Sequence, residues 1–384
     1  MRPTEPAGPA TPLESTSPTS APPTRLRVEV VDAPADLAPY LDGWDALAVA
    51  CRKPFCAPAW MLAWWEEERS GDARLRVTVV LDGERVVAVA PFFAQVAYGL
   101  TELRLLAAGF SHRIGIVAEP GREEDAARAL APALAGIDPT PASAVFEGIE
   151  ARDPWPELLA DAWAGRRPRL RTDATMEAPV VRLGDSYDSW FEGLSRNFRK
   201  ESRRHARRLA EEGVVTRIAH DPAATAALIR LHEARWEERG GSDVSGSAAR
   251  VIDRAAADLG AEGRLQVVML ETADGPISAE LVLRAGDTAA FWAGGFDPAW
   301  GRHAPGMQTM LVALRAMAEE GVETADLGGG FHAYKKRMAD ESVPIAWRTL
   351  FPRGPRYPLI RLRLAPKHLR QAARRVKHRS SRSD

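Results

Sequence analysis

The chain has 384 residues, 45% of them hydrophobic and 27% charged, with a formal net charge of −1. That length and balance suit two ordinary globular domains with sizeable cores and exclude a chain-wide basic footprint of the nucleic-acid-binding kind. No run approaches the roughly 18 apolar residues of a membrane span, and the N-terminus lacks the apolar core of a signal peptide, so the expectation is a cytoplasmic protein. The two cysteines, Cys51 and Cys56, are too few to staple a framework of this size. No His or Cys stands near them at zinc-ligand spacing, so they read as ordinary thiols and no metal is expected.

Residues 1–24 are rich in Pro, Thr, Ser and Ala without an aromatic residue, and this composition predicts a disordered leader. Two stretches then share a layout. In the first, Pro58 to Arg69 (PAWMLAWWEEER) predicts a helix, followed by a strand at Arg76 to Leu81, an Asp82-Gly83 turn and a strand at Arg85 to Ala90. In the second, Ala224 to Arg239 predicts a helix ending at Gly240-Gly241, and Ala248 to Leu259 a further helix. Strands follow at Arg264 to Leu270, Ile277 to Arg284 and Thr288 to Ala293, joined by Asp274-Gly275 and Gly286-Asp287 turns. Asp-Gly between β-rich runs is a strong hairpin signal. The common order of helix, strand, turn and strand suggests a duplication, and predicts domains over 25–180 and 181–352 with a basic tail over 353–384.

Between the two stretches lies a basic segment. Arg196, Arg199, Lys200, Arg203, Arg204, Arg207 and Arg208 cover about half of a helical surface, while Leu194, Phe198, His205 and Leu209 fall on the other side. This is either a solvated face of a packed helix or a contact for an anionic partner over 196–208.

After the second group of strands, Met307, Met310, Leu311, Leu314 and Met317 fall on one helical face, with Gly321 as a plausible C-cap. A short strand is expected at Thr324 to Leu327, a short helix at Phe331 to Ala339 and a last strand at Ile345 to Phe351. This order implies an α/β layer fold. Gly301 to Gly306 stands between a strand and the helix from Met307, where the helix start leaves unpaired N–H groups suited to a phosphate. Arg302 could add charge and Gly306 close approach; an ordinary Pro-Gly turn would have the same sequence. Gly328-Gly329-Gly330 follows the short strand, either as a ligand loop or as a connector.

Acyl transfer to an amine needs a proton acceptor, N–H donors for the tetrahedral intermediate and a proton donor for the leaving thiolate. Asp326 and Glu280 are the candidate bases and Tyr334 the candidate acid. Asp326 could instead pair with Lys335 or an amide. Glu280, in the apolar run ISAELVL, is either solvent-facing or functional.

From Val214 the predicted order is strand, two helices, three strands, helix, strand, helix, strand. This order resembles the GNAT acyltransferase core. Within that superfamily the chain resembles the two-lobed CelD-like (cellulose-biosynthesis) and BioF-like acetyltransferases, relatives of the Fem peptidoglycan aminoacyltransferases. The similarity covers about Leu26 to Pro352 and is sharpest in FDPAW…PGMQTMLVALRAMAEEG (Phe296 to Gly321) and ADLGGGFHAYKKRMA (Ala325 to Ala339). PFCAPAW (Pro54 to Trp60) and VVAVAPFF (Val86 to Phe93) fit the first lobe.

The resemblance implies two GNAT-like lobes, each a mixed, mostly antiparallel sheet flanked by helices. It also implies acetyl-coenzyme A or another acyl-coenzyme A as donor, and direct attack in a ternary complex. Trp292, Ala293 and Gly294 would face the acyl carbonyl. Arg302, Pro305, Gly306, Met307 and Gln308 would take the place of the pyrophosphate loop, departing from the usual Arg/Gln-x-x-Gly-x-Gly/Ala pattern by keeping one glycine. Tyr334 would protonate the thiolate, and Gly329, Gly330, Lys335 and Arg199 would meet the acceptor, a small molecule or a glycan or envelope precursor. Two other functions stay open, the first from the Fem relatives and the second from the atypical phosphate loop. One is a Fem-like transferase using charged tRNA; the other is a non-catalytic accessory protein of polysaccharide assembly. The tail from Arg353 holds eleven Lys/Arg and one acid, and is either a disordered arm or an amphipathic helix on an anionic membrane surface.

Overall fold

The computed structural model describes residues 26–184, 186–237, 244, 246–329, 333–354, 357, 358, 360, 362 and 363. The expected leader, Gly240-Gly241, Gly330, Phe331 and most of the basic tail lie outside the described residues. In the first half the elements are β1 (Arg27–Val31), α1 (Leu41–Ala50), α2 (Pro58–Glu68), β2 (Arg74–Asp82), β3 (Arg85–Ala97) and β4 (Leu100–Leu105). They continue with β5 (Val117–Ala118), α3 (Glu123–Ala135), β6 (Ser143–Glu150), α4 (Trp155–Ala162) and β7 (Arg169–Arg182). Helices α5 (Tyr187–Gly193) and α6 (Arg196–Glu211) link the halves. The second half holds β8 (Val215–Ala219), α7 (Pro222–Trp236), α8 (Gly246–Leu259), β9 (Leu265–Thr272), β10 (Gly275–Ala285), β11 (Thr288–Phe296), α9 (Pro305–Glu319), β12 (Thr324–Asp326), α10 (Ala333–Met338) and β13 (Glu341–Phe351). The order expected from Val214 onward is therefore present, as is the tight turn at Asp82-Gly83, where Gly83 takes φ 65°.

All these strands join one mixed sheet, in the order β1-β2-β3-β4-β6-β13-β7-β12-β11-β10-β9-β8, with β5 on β3. The two halves repeat one topology. The hairpin ladder β1-β2-β3-β4 corresponds to β8-β9-β10-β11, and each ladder is extended by a parallel strand after a helix: β6 beside β4, and β12 beside β11. The next strand of each half then crosses over. β7, which follows α4, pairs antiparallel with β12 of the second half, and β13, which follows α10, pairs antiparallel with β6 of the first. β7 and β13 pair with each other along their length, from Glu341↔Val180 to Phe351↔Arg169. Each half thus completes its sheet with a strand from the other.

The helices seal the joint. α2 packs on α8, and Glu67 on α2 accepts from Arg250 and Arg254 on α8 (2.5 and 2.6 Å). Arg264 at the start of β9 reaches Asp45 on α1 through both terminal nitrogens (2.5 and 3.0 Å). The largest apolar cluster accordingly runs through both halves, from Trp44, Trp60 and Phe92 to Leu228, Ile252 and Leu283. A second cluster, with Phe198, Phe291, Met310 and Leu314, lies under α5, α6 and α9. On α6, Phe198, His205 and Leu209 are buried as the pattern requires, with Ser202 between them. Among the described residues no helix is long and apolar enough to cross a membrane, no group of three or more His, Cys, Asp or Glu could hold a metal ion, and both cysteines are free.

Because β7 and β13 belong to both halves, the two should unfold together. Calorimetry is expected to show one transition, with the calorimetric and van't Hoff enthalpies equal; two separated transitions would contradict the shared joint.

Candidate functional site

β11 creates the site by leaving its neighbours. It pairs with β12 only over Thr288–Ala290 against Thr324–Asp326, and beyond those residues the two parallel strands part. On its other side, Glu280 faces Gly294 and Val282 faces Phe291, so β11 spends three residues where β10 spends two. This bulge carries Trp292 and Ala293, and bulges re-aim the backbone next to functional sites. The wedge between the parting strands opens into a chamber of about 860 Å³. Its walls include Phe291 to Gly294 on one side, Leu327 and Gly329 on another, and Trp64, Phe110 and His112 from the first half. A second chamber of about 460 Å³ lies under the start of α9, against Ala304, Pro305, Gly306, Met307 and Phe296. Arg235, Glu280, Gly294 and Tyr334 line both chambers and form the partition between them.

Glu280 is 6% exposed. Its carboxyl group takes the space that a side chain at position 294 would fill: a Cβ there would collide with Oε2. Burial, only partly offset by the positive charges of Lys335 and Arg235, pushes its pKa up to about 7. The carboxylate in the apolar strand is therefore buried, not solvent-facing. Tyr334 on α10 is raised above the usual phenol range by burial and by the charge of Glu280, with Arg235 opposing through its charge and a hydrogen bond. Lys335 is lowered by burial, against the attraction of Glu280 and Asp326, and its ammonium donates to the Leu327 carbonyl. Arg235, on α7, donates to the Gly294 carbonyl (3.0 Å) and lies over the Phe296 ring. Sequence reasoning passed over Arg235. It sits near the end of α7, and nothing local in the sequence marks the side chain that turns inward.

Asp326 is placed differently. It is 2% exposed, its Oδ2 lies 2.7 Å from Nε of Arg113 in the first half, and its Oδ1 accepts from the Gly328 amide (3.0 Å). Arg113 also reaches Glu150 (3.0 Å). Asp326 thus ties the second half's glycine loop to the first half, using an amide, as one of its two expected roles had it, and a guanidinium from far along the chain.

The residues expected at the helix start divide. Pro305, Gly306 and Met307 line the smaller chamber, and Ala304 before them holds a left-handed φ of 50°, a conformation that costs a non-glycine residue about 1–3 kcal/mol. Arg302 donates to His303 Nε2 (2.8 Å), and Gln308 donates to the Ser202 carbonyl (3.3 Å), joining α9 to α6. Trp292 donates from Nε1 to the Phe110 carbonyl (2.8 Å). Gly329 and Lys335 lie at the larger chamber, while Arg199 pairs with Glu192 on α5. Arg196, Lys200, Arg204, Arg207 and Arg208 form the exposed basic face of α6.

Residues 196–336 match the family model Acetyltransf_6, an acetyltransferase (GNAT) domain. Solved structures agree on the fold. A structure of FemX superposes with a TM-score of 0.61 at 11% identity, covering 83% of this chain and 98% of that one. L-PGS from Bacillus licheniformis does so with 0.52 at 13%, covering 86% and 96%. A conserved protein of unknown function from Bacteroides thetaiotaomicron gives 0.52 at 11%, covering 85% and 100%. No curated protein matches the sequence. Residues 196–336 thus match a GNAT acetyltransferase domain, and they lie within a two-lobed fold of the acyl-coenzyme A N-acyltransferase kind.

Two substitutions test this geometry. Gly294→Ala must displace the Glu280 carboxyl group and is expected to cost about 1–3 kcal/mol; an unchanged denaturation midpoint would deny the close packing. Arg113→Ala leaves Asp326 buried without its cation and is expected to cost about 3–5 kcal/mol by urea unfolding, and the double variant with Asp326→Asn less than the sum.

Proposed function

We propose that the protein transfers an acyl group from acyl-coenzyme A, acetyl-coenzyme A in the simplest case, to an amine of a small molecule or glycan precursor by direct attack in a ternary complex. The observation that carries this reading is the buried Glu280, on the partition between the two chambers and poised near pH 7. A general base is most effective with its pKa near the working pH. The donor occupies the smaller chamber, where the α9 start offers the positive end of the helix dipole to phosphates, with the Met307 and Gln308 N–H groups donating to the Ala304 carbonyl (both 3.1 Å). The acceptor occupies the larger chamber. The bulge at Trp292 and Ala293 turns backbone N–H groups toward the thioester carbonyl. The amine nitrogen bonds to the carbonyl carbon and gives its proton to Glu280. The carbon–sulfur bond breaks, and Tyr334 supplies a proton to the departing thiolate. Asp326, already engaged by Arg113 and the Gly328 amide, organises the loop and takes no proton.

The exposed basic face of α6 favours a second reading, in which the donor is a charged tRNA. Glu201 of the same helix lines the smaller chamber, so a polyanion held by the face would lie at its mouth. Binding of acetyl-coenzyme A by calorimetry supports the first reading, and salt-sensitive tRNA binding without it supports the second.

Under the first reading, Glu280→Gln is expected to cut thiol release from acetyl-coenzyme A about a hundredfold or more without weakening donor binding. The base works deprotonated, and its carboxyl is held near 7. Wild-type turnover should therefore rise with pH through about 7, and this rise should vanish in the variant. Full turnover in Glu280→Gln would remove it as the base.

A further inference from the structure

The first half sends one loop into the larger chamber, and its conformation is tightly imposed. Between β4 and β5, Ala107 (φ 60°), Gly109 (φ 79°) and Arg113 (φ 57°) take left-handed conformations. The loop is anchored to the second half at two points, the Phe110 carbonyl on Trp292 and Arg113 on Asp326. Between these anchors lies His112, on the chamber wall.

The His112 ring is held from three sides. A Cβ at Gly148, which has φ 68°, would stand 2.9 Å from its Nδ1, and a Cβ at Gly329 would stand 3.1 Å from its Cδ2. Trp347 meets it edge-on, with centroids 5.7 Å apart. Nδ1 is shut off from solvent and makes no hydrogen bond among the described residues, while the ring lines the chamber. Burial lowers the His112 pKa, against the pull of the Asp326 carboxylate, so the ring is neutral at pH 7. The tautomer that avoids an orphaned N–H keeps the proton on Nε2. A fixed ring then presents one N–H donor to the chamber, with Trp64, Phe110 and Trp292 beside it on the walls.

We propose that His112 is an acceptor-binding residue contributed by the first half, and that the acceptor is a primary amine carried on an oxygen-bearing ring: the ring packs on Phe110 and Trp292, and its oxygen accepts from Nε2 of His112. This rests on assigning the larger chamber to the acceptor. A chamber of about 860 Å³ with aromatic walls leaves a short open-chain amine largely without contacts, whereas a ring amine uses both the walls and the donor. His112 binds and orients; the proton transfers remain with Glu280 and Tyr334.

Binding to the full-length protein is measured by tryptophan fluorescence and calorimetry with three amines: glucosamine and tyramine, which carry rings with oxygen, and ethanolamine, which has none. At least one ring amine is expected to bind about tenfold or more tightly than ethanolamine. His112→Phe, which keeps a flat ring but removes the donor, is expected to weaken that amine about tenfold, the worth of one hydrogen bond. Its acetyl-coenzyme A affinity should not change. His112→Asn, with an N–H donor on a smaller side chain, is expected to recover part of the loss. His112→Ala gives the same reading if the Phe variant does not fold. Equal or tighter binding of ethanolamine, or unchanged ring-amine affinity in the Phe or Ala variant, overturns the proposal. Loss of acetyl-coenzyme A binding in the wild type would instead count against the donor assignment, since the amine titrations need no donor.

Discussion

The pairing of β7 with β13 is the constraint on which the rest of the molecule depends. Neither half closes its own sheet, since β12 ends against β7 and β6 against β13. The backbone donors and acceptors along these edges are satisfied only when both halves are in place. The helical seam of α2 on α8 and the bidentate contact of Arg264 with Asp45 follow from this joint, and so does the contact between the first half's loop and β11 of the second half. Trp292 can reach the Phe110 carbonyl and Arg113 can reach Asp326 because the shared strands fix the distance between the halves.

Within that frame the site arises from two departures from regular sheet. The parting of β11 from β12 makes room, and the bulge at Trp292 and Ala293 turns the backbone. The glycine at position 294 completes the arrangement. Its missing side chain is the space in which the Glu280 carboxyl group lies, and burial there moves the group from an ordinary carboxylate to one titrating near 7. A strained residue at Ala304, at the start of α9, is a further local cost, and such costs persist where the surrounding fold over-determines them.

The second half was largely legible in the sequence because its signals are local: Asp-Gly turns, the single helical face from Met307 to Met317 and the Ala325–Leu327 strand before the glycines. Glu280, Tyr334, Gly306 and Lys335 were marked in the same way and Gly294 by the resemblance, and all five line the chambers. The first half was legible only in α2, β2 and β3. Strands β4, β6 and β7 and helices α3 and α4 carry no comparable punctuation. β7 in particular mixes charged residues with Pro179 and is half exposed over much of its length. Its stability comes from a partner strand more than 150 residues away, which no window of sequence contains. The contact between Asp326 and Arg113 was out of reach for the same reason. The cation comes from Arg113, in a loop whose left-handed backbone has no motif. His112 went unnoticed because a lone histidine in a loop looks like any other until two glycines and a tryptophan are seen around it.

The partition between the chambers carries one further consequence. Arg235, Glu280, Gly294 and Tyr334 belong to both cavities, so whatever enters one changes the dielectric surroundings and charge balance felt from the other. Occupancy on the two sides is then thermodynamically linked. A first ligand that dries the partition shifts the proton affinity of Glu280 before the second arrives, and by reciprocity the second alters the affinity for the first by the same factor. Linkage between the two chambers is thus built into three shared side chains and the glycine beside them.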